Sequence, residues 1–347
     1  MSKLKFGFIG TGRICQGSHL PAYLGMDDVE IHAICDIDPD VAKSVADKYG
    51  VKHVFTDYNE MLKMDDIVAV DICTPNDVHS LAGVAALNAG KHVLVEKPIA
   101  RTAAEGQALV DAAKRNGRKF QIGQCMRFDQ RSQALKKFVD AGDMGEIYYA
   151  RVQCMRRRGV PSWGAFLNKE KQGGGPMVDI GVHMLDLTLW LMGHPKPVSA
   201  TGVAYNKFGH KEGVVNGWEP WNPADFTVED FAAGFVRFEN GASLAIETSF
   251  CANIGKDIFN TALMGTEGGC EFEPVRVFRE NHHALLDLAP VSLTAVDKFG
   301  LQIRAFIDAI VNDTETPVTG EQAVMTAKIM DAIYESAETG REVPISG

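Results

Sequence analysis

The sequence predicts an α/β chain, with a doubly wound parallel sheet in its N-terminal part and an α+β part on an open, largely antiparallel sheet after it. Three observations carry this. The chain has 347 residues, more than the roughly 250–300 at which a single core stops growing, so two domains are expected. Its first 120 or so residues alternate short apolar runs with helical patterns, the rhythm of βαβ units. Beyond about residue 124 that rhythm gives way to longer alternating strands, two of them flanking Asn240-Gly241. The boundary is placed between residues 123 and 124, giving domains 1–123 and 124–347.

The elements follow in order. KFGFIG (5–10) reads as a buried strand and residues 17–25 as a helix or helix-loop. VEIHAICD (29–36) is a second strand, and the helix at 39–49 stops at Gly50. HVF (53–55) is a short strand followed by a helical turn around 58–63. IVAVDICTP (67–75) is a strand, and the helix at 79–89 is closed by Gly90, a residue that tolerates the left-handed conformation past a helix end. HVLVEKP (92–98), a helix over 102–116 and KFQIG (119–123) complete the first part. In the second, a helix at 129–141 leads to the alternating strand IYYARVQCMR (147–156). GGGPMVDIGVHMLDLTLWLMG (173–193) is an apolar helix entered through three glycines. DFAAGFVRF and ASLAIETSF form a hairpin within 228–250, with Asn240-Gly241 predicting a type I′ turn. Further strands are expected at 261–265 and 269–272, and helices at 298–312 and 321–338.

Composition narrows the functions. The formal net charge is −10, so a nucleic-acid partner is not expected. The seven cysteines are odd in number and form no CxxC pair, which predicts reduced thiols and a cytoplasmic protein. A strand-like pattern begins by Lys3 where a signal peptide would lie, and the longest apolar run carries Asp179, His183 and Asp186, so no membrane span is expected.

GFIGTGRIC (7–15) closes the first strand with a glycine turn that opens a helix. Gly10 and Gly12 suit the tight turn and close backbone approach that a pyrophosphate needs, and a helix N-terminus favours the anion. Gly10, Thr11, Gly12, Arg13 and Ile14 are the candidate phosphate loop of a Rossmann domain; Cys15 replaces the third glycine with a small residue. The second strand ends at Asp36, placed to accept the adenosine ribose hydroxyls and to repel a 2′-phosphate. NAD is the expected cofactor and NADP the less favoured one, since Arg13 would only partly offset that repulsion. The alternative is a strand-end Asp that caps the next turn.

Two further features carry candidate chemistry. Lys97, in Glu96-Lys97-Pro98, stands at the carboxyl end of a parallel strand, where ligands of open α/β sheets bind. Asp179, His183 and Asp186 stand at i, i+4 and i+7, one stripe on an otherwise apolar helix. His suits removal of a hydroxyl proton, Asp179 can bond the imidazole or a substrate hydroxyl, and Lys97 can stabilise alkoxide charge. A metal pair at i, i+4 and a purely structural stripe remain open alternatives; no metal is expected, because no third ligand converges in sequence.

GTGRIC (10–15), TPNDVH (74–79), EKP (96–98), GGGPMVDIGVHMLD (173–186) and SAETGREVPI (336–345), in this order, resemble the Gfo/Idh/MocA family of NAD(P)-dependent oxidoreductases. The resemblance implies an active site between a dinucleotide domain and a substrate-binding, oligomerisation domain. It implies Lys97, Asp179 and His183 as the catalytic set, with His183 as proton acceptor. Thr74, Pro75, Asn76 and His79 would line the cofactor near its nicotinamide end, and Glu96 would lie near the nicotinamide ribose. Arg127 is the matched substrate contact of GQCMRFD (123–129), where Met126 departs from the asparagine common in the family. Arg156 and Trp163, from CMRRRGVPSWGAF (154–166), would lie near the substrate, and Trp218 and Trp221 would border it or reach a second subunit. A homodimer or homotetramer through the C-terminal sheet is expected. The function expected is hydride transfer between nicotinamide and a secondary ring hydroxyl or ketone of a sugar, glycoside or cyclitol. The alternatives are a redox-neutral NAD-dependent glycoside-processing enzyme and a non-catalytic NAD- or sugar-sensing protein.

Overall fold

The structure, a computed structural model, describes residues 3–346. The chain divides into two compact units, one of residues up to Cys125 with Asp297–Val324, the other of Met126–Val296 with the residues from Met325 on.

In the first unit six strands, β1 (Leu4–Ile9), β2 (Val29–Cys35), β3 (His53–Phe55), β4 (Ala69–Ile72), β5 (His92–Glu96) and β6 (Phe120–Gly123), pair in the order β3-β2-β1-β4-β5-β6. Every pairing is parallel. The connecting helices are α1 (Leu20–Leu24, continuous with a π-helical turn at Cys15–His19), α2 (Pro39–Tyr49), α3 (Tyr58–Met61), α4 (Asn76–Asn88) and α5 (Ala103–Asn116). Asp38, Asp57 and Thr102 cap the starts of α2, α3 and α5, while Gly50 and Gly117 end α2 and α5 in the left-handed region.

The unit does not stop at the boundary placed by sequence. Helical periodicity forecast a helix near 298–312 but not the sheet it covers. Ile303, Phe306 and Ile307 are fully buried in one cluster with Phe6, Phe8 and Tyr23 of this unit, and Thr316 donates to the Phe120 carbonyl at 2.9 Å.

The second unit holds α6 (Gln130–Asp140), β7 (Ile147–Met155), α7 (Lys169–Gln172), a π-helical turn at Met177–Gly181 running into α8 (Val182–Leu191), and β8 (Pro197–Tyr205). β9 (Phe231–Phe238), β10 (Ser243–Ser249), β11 (Ile258–Gly265), β12 (Gly268–Glu271), β13 (Arg276–Asn281) and β14 (Ala284–Leu288) follow. Helices α9 (Lys298–Val311) and α10 (Gly320–Thr339) and strand β15 (Val343–Pro344) close the chain. The nine-stranded sheet runs β14-β13-β12-β11-β7-β10-β9-β8-β15 and is antiparallel except where β10 lies parallel to β7. The β8 strand and the β13–β14 hairpin were not foreseen from sequence. One sheet face is covered by helices: Thr188 of α8 bonds Thr261 of β11 at 2.6 Å, and Ile333 of α10 lies against Gly202 and Gly234. The other face carries Tyr149, Val203, Tyr205, Phe231, Phe235 and Met264, all partly or fully exposed.

The hairpin forms at Asn240-Gly241, but not with the turn forecast. Gly241 alone has positive φ (88°), whereas a type I′ turn needs it at both central residues. The Phe238 N–H donates to the Ala242 carbonyl and the Gly241 N–H to the Phe238 carbonyl, the pattern of a longer loop closed by one left-handed glycine.

Candidate active site

At the end of β1 the chain turns at Gly10 (φ 79°), whose N–H donates to the Cys35 carbonyl at 2.9 Å. A methyl there would lie 2.7 Å from Thr74 Cγ2 and 2.9 Å from Thr74 N, so both backbone and space demand glycine. Gly12 is different: a methyl on it would meet nothing within 4 Å, which leaves its backbone open to a ligand. Arg13 and Ile14 begin the helix and are exposed, while Cys15 is fully buried against the sheet, so the small-residue reading of that position holds. Thr11 is also fully buried, and its N–H and hydroxyl donate to Asp36 Oδ2 at 2.7 and 3.1 Å. Asp36 Oδ1 accepts the Asp38 N–H at 3.1 Å. The acid at the end of β2 thus fixes the glycine turn across the strand gap and remains partly exposed. Ile37 beside it is 91% exposed, an apolar surface that the reading by motif passed over.

The TPNDVH segment starts α4, with Pro75 exposed, Thr74 half-buried and Asn76 buried. His79 was expected at the cofactor, but it is fully buried; its Nδ1 is 2.8 Å from the Pro98 carbonyl and its Nε2 2.9 Å from the Thr74 carbonyl. Burial pushes the imidazole down, against the two carbonyls. His79 therefore ties the loop after β4 to the loop after β5. Glu96 also departs from expectation. It is 6% exposed, with Oε1 2.9 Å from His19 Nε2 and Oε2 accepting the Lys97 N–H at 3.1 Å. The carboxylate turns into the protein, and Lys97 next to it is half-buried.

In the second unit the stripe on α8 separates by burial. Asp179 and His183 are partly exposed. Asp186 is fully buried and receives a two-pronged bond from Arg127, Nε to Oδ2 at 2.8 Å and Nη2 to Oδ1 at 2.7 Å. Arg127 is 2% exposed, which corrects its expected role as a substrate contact: its guanidinium is committed to Asp186. The same guanidinium and burial push the neighbouring His194 down to about 4, burial contributing most. The π-helical turn at Met177–Gly181 contains Asp179; such turns are rare and concentrate at functional sites.

The three glycines before that turn serve the protein's own packing. Gly173 (φ 85°) ends α7 in the left-handed region. A methyl on Gly174 would lie 2.1 Å from the Tyr334 hydroxyl, and one on Gly175 would lie 2.2 Å from the Glu229 carbonyl oxygen. Glu229, nearly buried, accepts the Gly175 N–H (2.9 Å) and the Tyr334 hydroxyl (2.7 Å), with the Met177 N–H at 3.4 Å. Burial pushes its carboxyl up, against those donors. Glu229 and Tyr334 were not singled out by sequence; an acid just ahead of a strand gives no signal that its partner is a glycine loop about fifty residues earlier. Gly175→Ala is expected to cost at least 1–3 kcal/mol, because the obstacle is backbone and cannot swing away; a thermal melt within 1 °C of the parent would show that the loop yields.

Arg156 reaches from the end of β7 to Asp179, Nη1 to Oδ2 at 3.8 Å. Its guanidinium lies 5.0 Å from the Trp218 ring and 5.7 Å from that of Phe250. Trp163 meets Trp218 edge-on at 5.1 Å. Arg158, by contrast, bonds the Ala252 carbonyl and Asn253 Oδ1. Trp221 donates to the Gly209 carbonyl at 2.8 Å and packs on Phe226. Arg156 thus reaches Asp179 and lies by Trp218, which meets Trp163 in turn, while Arg158 and Trp221 bond other groups.

A six-stranded parallel sheet of this order, a glycine turn after β1 and an acid after β2 define a dinucleotide-binding domain, here joined to a helix-and-sheet unit that presents a carboxylate and an imidazole. The chain belongs to the Gfo/Idh/MocA oxidoreductase family: the family's NAD-binding Rossmann fold matches residues 4–124 and its C-terminal alpha/beta domain residues 136–345. It is an NAD-dependent oxidoreductase. Among its relatives it is 34% identical to the D-glucoside 3-dehydrogenase of Escherichia coli, covering 99% of this chain and 98% of that one. It is 27% identical to the inositol 2-dehydrogenase of Salmonella typhimurium, covering 97% and 95%. The crystal structure of an oxidoreductase domain protein from Kribbella flavida shares the fold, with a TM-score of 0.88 at 24% identity over all of both chains. Among the described residues no helix is long and apolar enough to cross a membrane.

Proposed function

We propose that this enzyme oxidises a secondary ring hydroxyl of a glucoside, sugar or cyclitol with NAD, or reduces the corresponding ketone, with His183 as the acid–base group. The observation that carries the reading is the division of the α8 stripe. Two polar groups, Asp179 and His183, stay accessible on a helix whose other residues are almost all buried, while the third, Asp186, is neutralised inside. The relatives named for glucoside and inositol oxidation support the substrate class.

The residues fit the cofactor: Gly10 makes the turn, Gly12 leaves its backbone open, and Asp36 is held at the end of β2. Bound there, NAD supplies the hydride acceptor. His183 takes the hydroxyl proton, Asp179 orients the imidazole or a neighbouring hydroxyl, and Lys97 stabilises alkoxide charge. Arg156, Trp163 and Trp218 offer a hydroxyl-bonding fork and apolar ring faces to a sugar. Thr74, Pro75 and Asn76 are assigned to the cofactor's nicotinamide end, which His79 and Glu96 support from behind.

Asp36 is assigned the adenosine ribose and the preference for NAD. Asp36→Ala is expected to weaken NAD about ten-fold, one hydrogen bond's worth, and to narrow the gap to NADP. Fluorescence titration with both cofactors checks this; an unchanged ratio would remove Asp36 from cofactor choice. The substrate class is tested by following NADH formation over a panel of glucosides, free sugars and cyclitols. Turnover confined to non-carbohydrate alcohols would refute it.

The exposed sheet face bearing Tyr149, Tyr205, Phe231 and Phe235 is the surface we assign to a second copy, giving a homodimer or homotetramer. A cytoplasmic location accords with seven cysteines that are all buried and joined by no disulfide.

A further inference from the structure

The interior of the first unit holds a chain of charged groups, two of which, His19 and Asp71, the proposed mechanism leaves unused. His19, on the π-helical turn after the glycine loop, is fully buried, as is Asp71 in the middle of β4. His19 Nδ1 lies 2.7 Å from Asp71 Oδ2, and its Nε2 lies 2.9 Å from Glu96 Oε1. A ring held between two ionised carboxylates donates from both nitrogens, as an imidazolium. Burial alone would depress His19, but Asp71 and Glu96 outweigh it and hold it well above its ordinary range. Burial would likewise raise Glu96, yet His19 first, and then Lys97, bring it below the usual carboxylate range. The surroundings are built to fit. Gly123 on β6 makes room for Glu96, since a methyl there would lie 2.8 Å from Oε1, and the Cys73 thiol is 3.5 Å from Asp71 Oδ1.

This is a hydrogen-bonded network rather than a cation site, although His19, Asp71 and Cys73 converge. Two ligands ~2.1 Å from a tetrahedral zinc stand ~3.4 Å apart, and the His19–Asp71 pair is closer than that at 2.7 Å.

The chain ends at Lys97. Glu96 Oε2 accepts the Lys97 N–H, so the carboxylate that His19 grips also grips the backbone of the residue assigned to the substrate hydroxyl. We propose that His19 is a positioning residue for Lys97, acting through Glu96. Asp71 anchors His19 to β4, His19 fixes the Glu96 carboxylate, and Glu96 sets the backbone from which the Lys97 side chain projects. A carboxylate without His19 is free to rotate, and the Lys97 backbone that it holds loses a fixed anchor.

This inference rests on the role given to Lys97 above, and a double-mutant cycle separates the two. The variants are His19→Gln, Lys97→Met and the pair, measured with NAD and a methyl glucoside well below each melting temperature. His19→Gln is expected to lower kcat about ten-fold or more, as misplacement of a reacting group does, while the NAD Kd moves less than about three-fold. In the Lys97→Met background the same change is expected to lower kcat no further, because its effect passes through Lys97. An equal loss in both backgrounds, or a loss that tracks NAD affinity alone, would overturn the positioning role. If Lys97→Met itself kept the parent rate, the reading of Lys97 would fall first. Should His19→Gln melt below the assay temperature, Glu96→Gln carries the same cycle with the same outcomes.

Discussion

With His183 replaced by alanine, kcat for glucoside oxidation is expected to fall about 10²–10⁴-fold, the range supplied by a positioned acid–base group. The change is specific for structural reasons. His183 sits on α8 with neighbours that are nearly all buried, and alanine is the best helix former, so the helix and its packing should persist. His183 is assigned to the substrate proton and not to NAD, so the Kd for NAD is expected to stay within about three-fold, a shift of under 1 kcal/mol. Steady-state kinetics, NAD titration and a thermal melt on one preparation check all three. A rate within three-fold of the parent would leave Asp179 as the alternative base.

Arg127→Met is expected to give the greatest loss of stability, about 3–5 kcal/mol, because it strands a fully buried carboxylate at Asp186. For a unit of this size that corresponds to a Tm lower by roughly 10 °C. Pairing it with Asp186→Leu removes both charges and is expected to restore most of the loss. Were Arg127 a substrate contact instead, Arg127→Met would raise KM with little change in Tm, and Asp186→Leu would not rescue it. The melt of the single and double variants decides between these.

Where a signal was local, the sequence carried it. Gly10, Asp36 and the apolar runs around them specify the strand–turn–helix start and its partner strand, because each requirement lies within a few residues. The glycines at 173–175 mark the entry to a helix in the sequence, but not what packs against them: Tyr334 and Glu229 stand far along the chain. The polar groups inside apolar runs give no signal for the same reason. Asp71 in β4 and His19 in the first helix were not singled out, and they meet across 52 positions, while His19 meets Glu96 across 77. Arg127 and Asp186 are joined over 59 positions, a pairing that neither stretch of sequence announces by itself. The π-helical turns at Cys15–His19 and Met177–Gly181 are invisible for another reason, since over five residues a slightly wider period cannot be told from an ordinary helix. The segment 297–324 shows the limit for domains: amphipathic periodicity says that a face is buried, not against which sheet.

The most direct check is the stoichiometry of a single reaction with NAD and a glucoside, with NADH read by absorbance and the sugar product by NMR. One NADH per keto-glucoside formed is the result expected of a dehydrogenase acting on a ring hydroxyl. Glucoside consumed with cleavage of its glycosidic bond and no net NADH would contradict it and make the enzyme a redox-neutral glycoside-processing one.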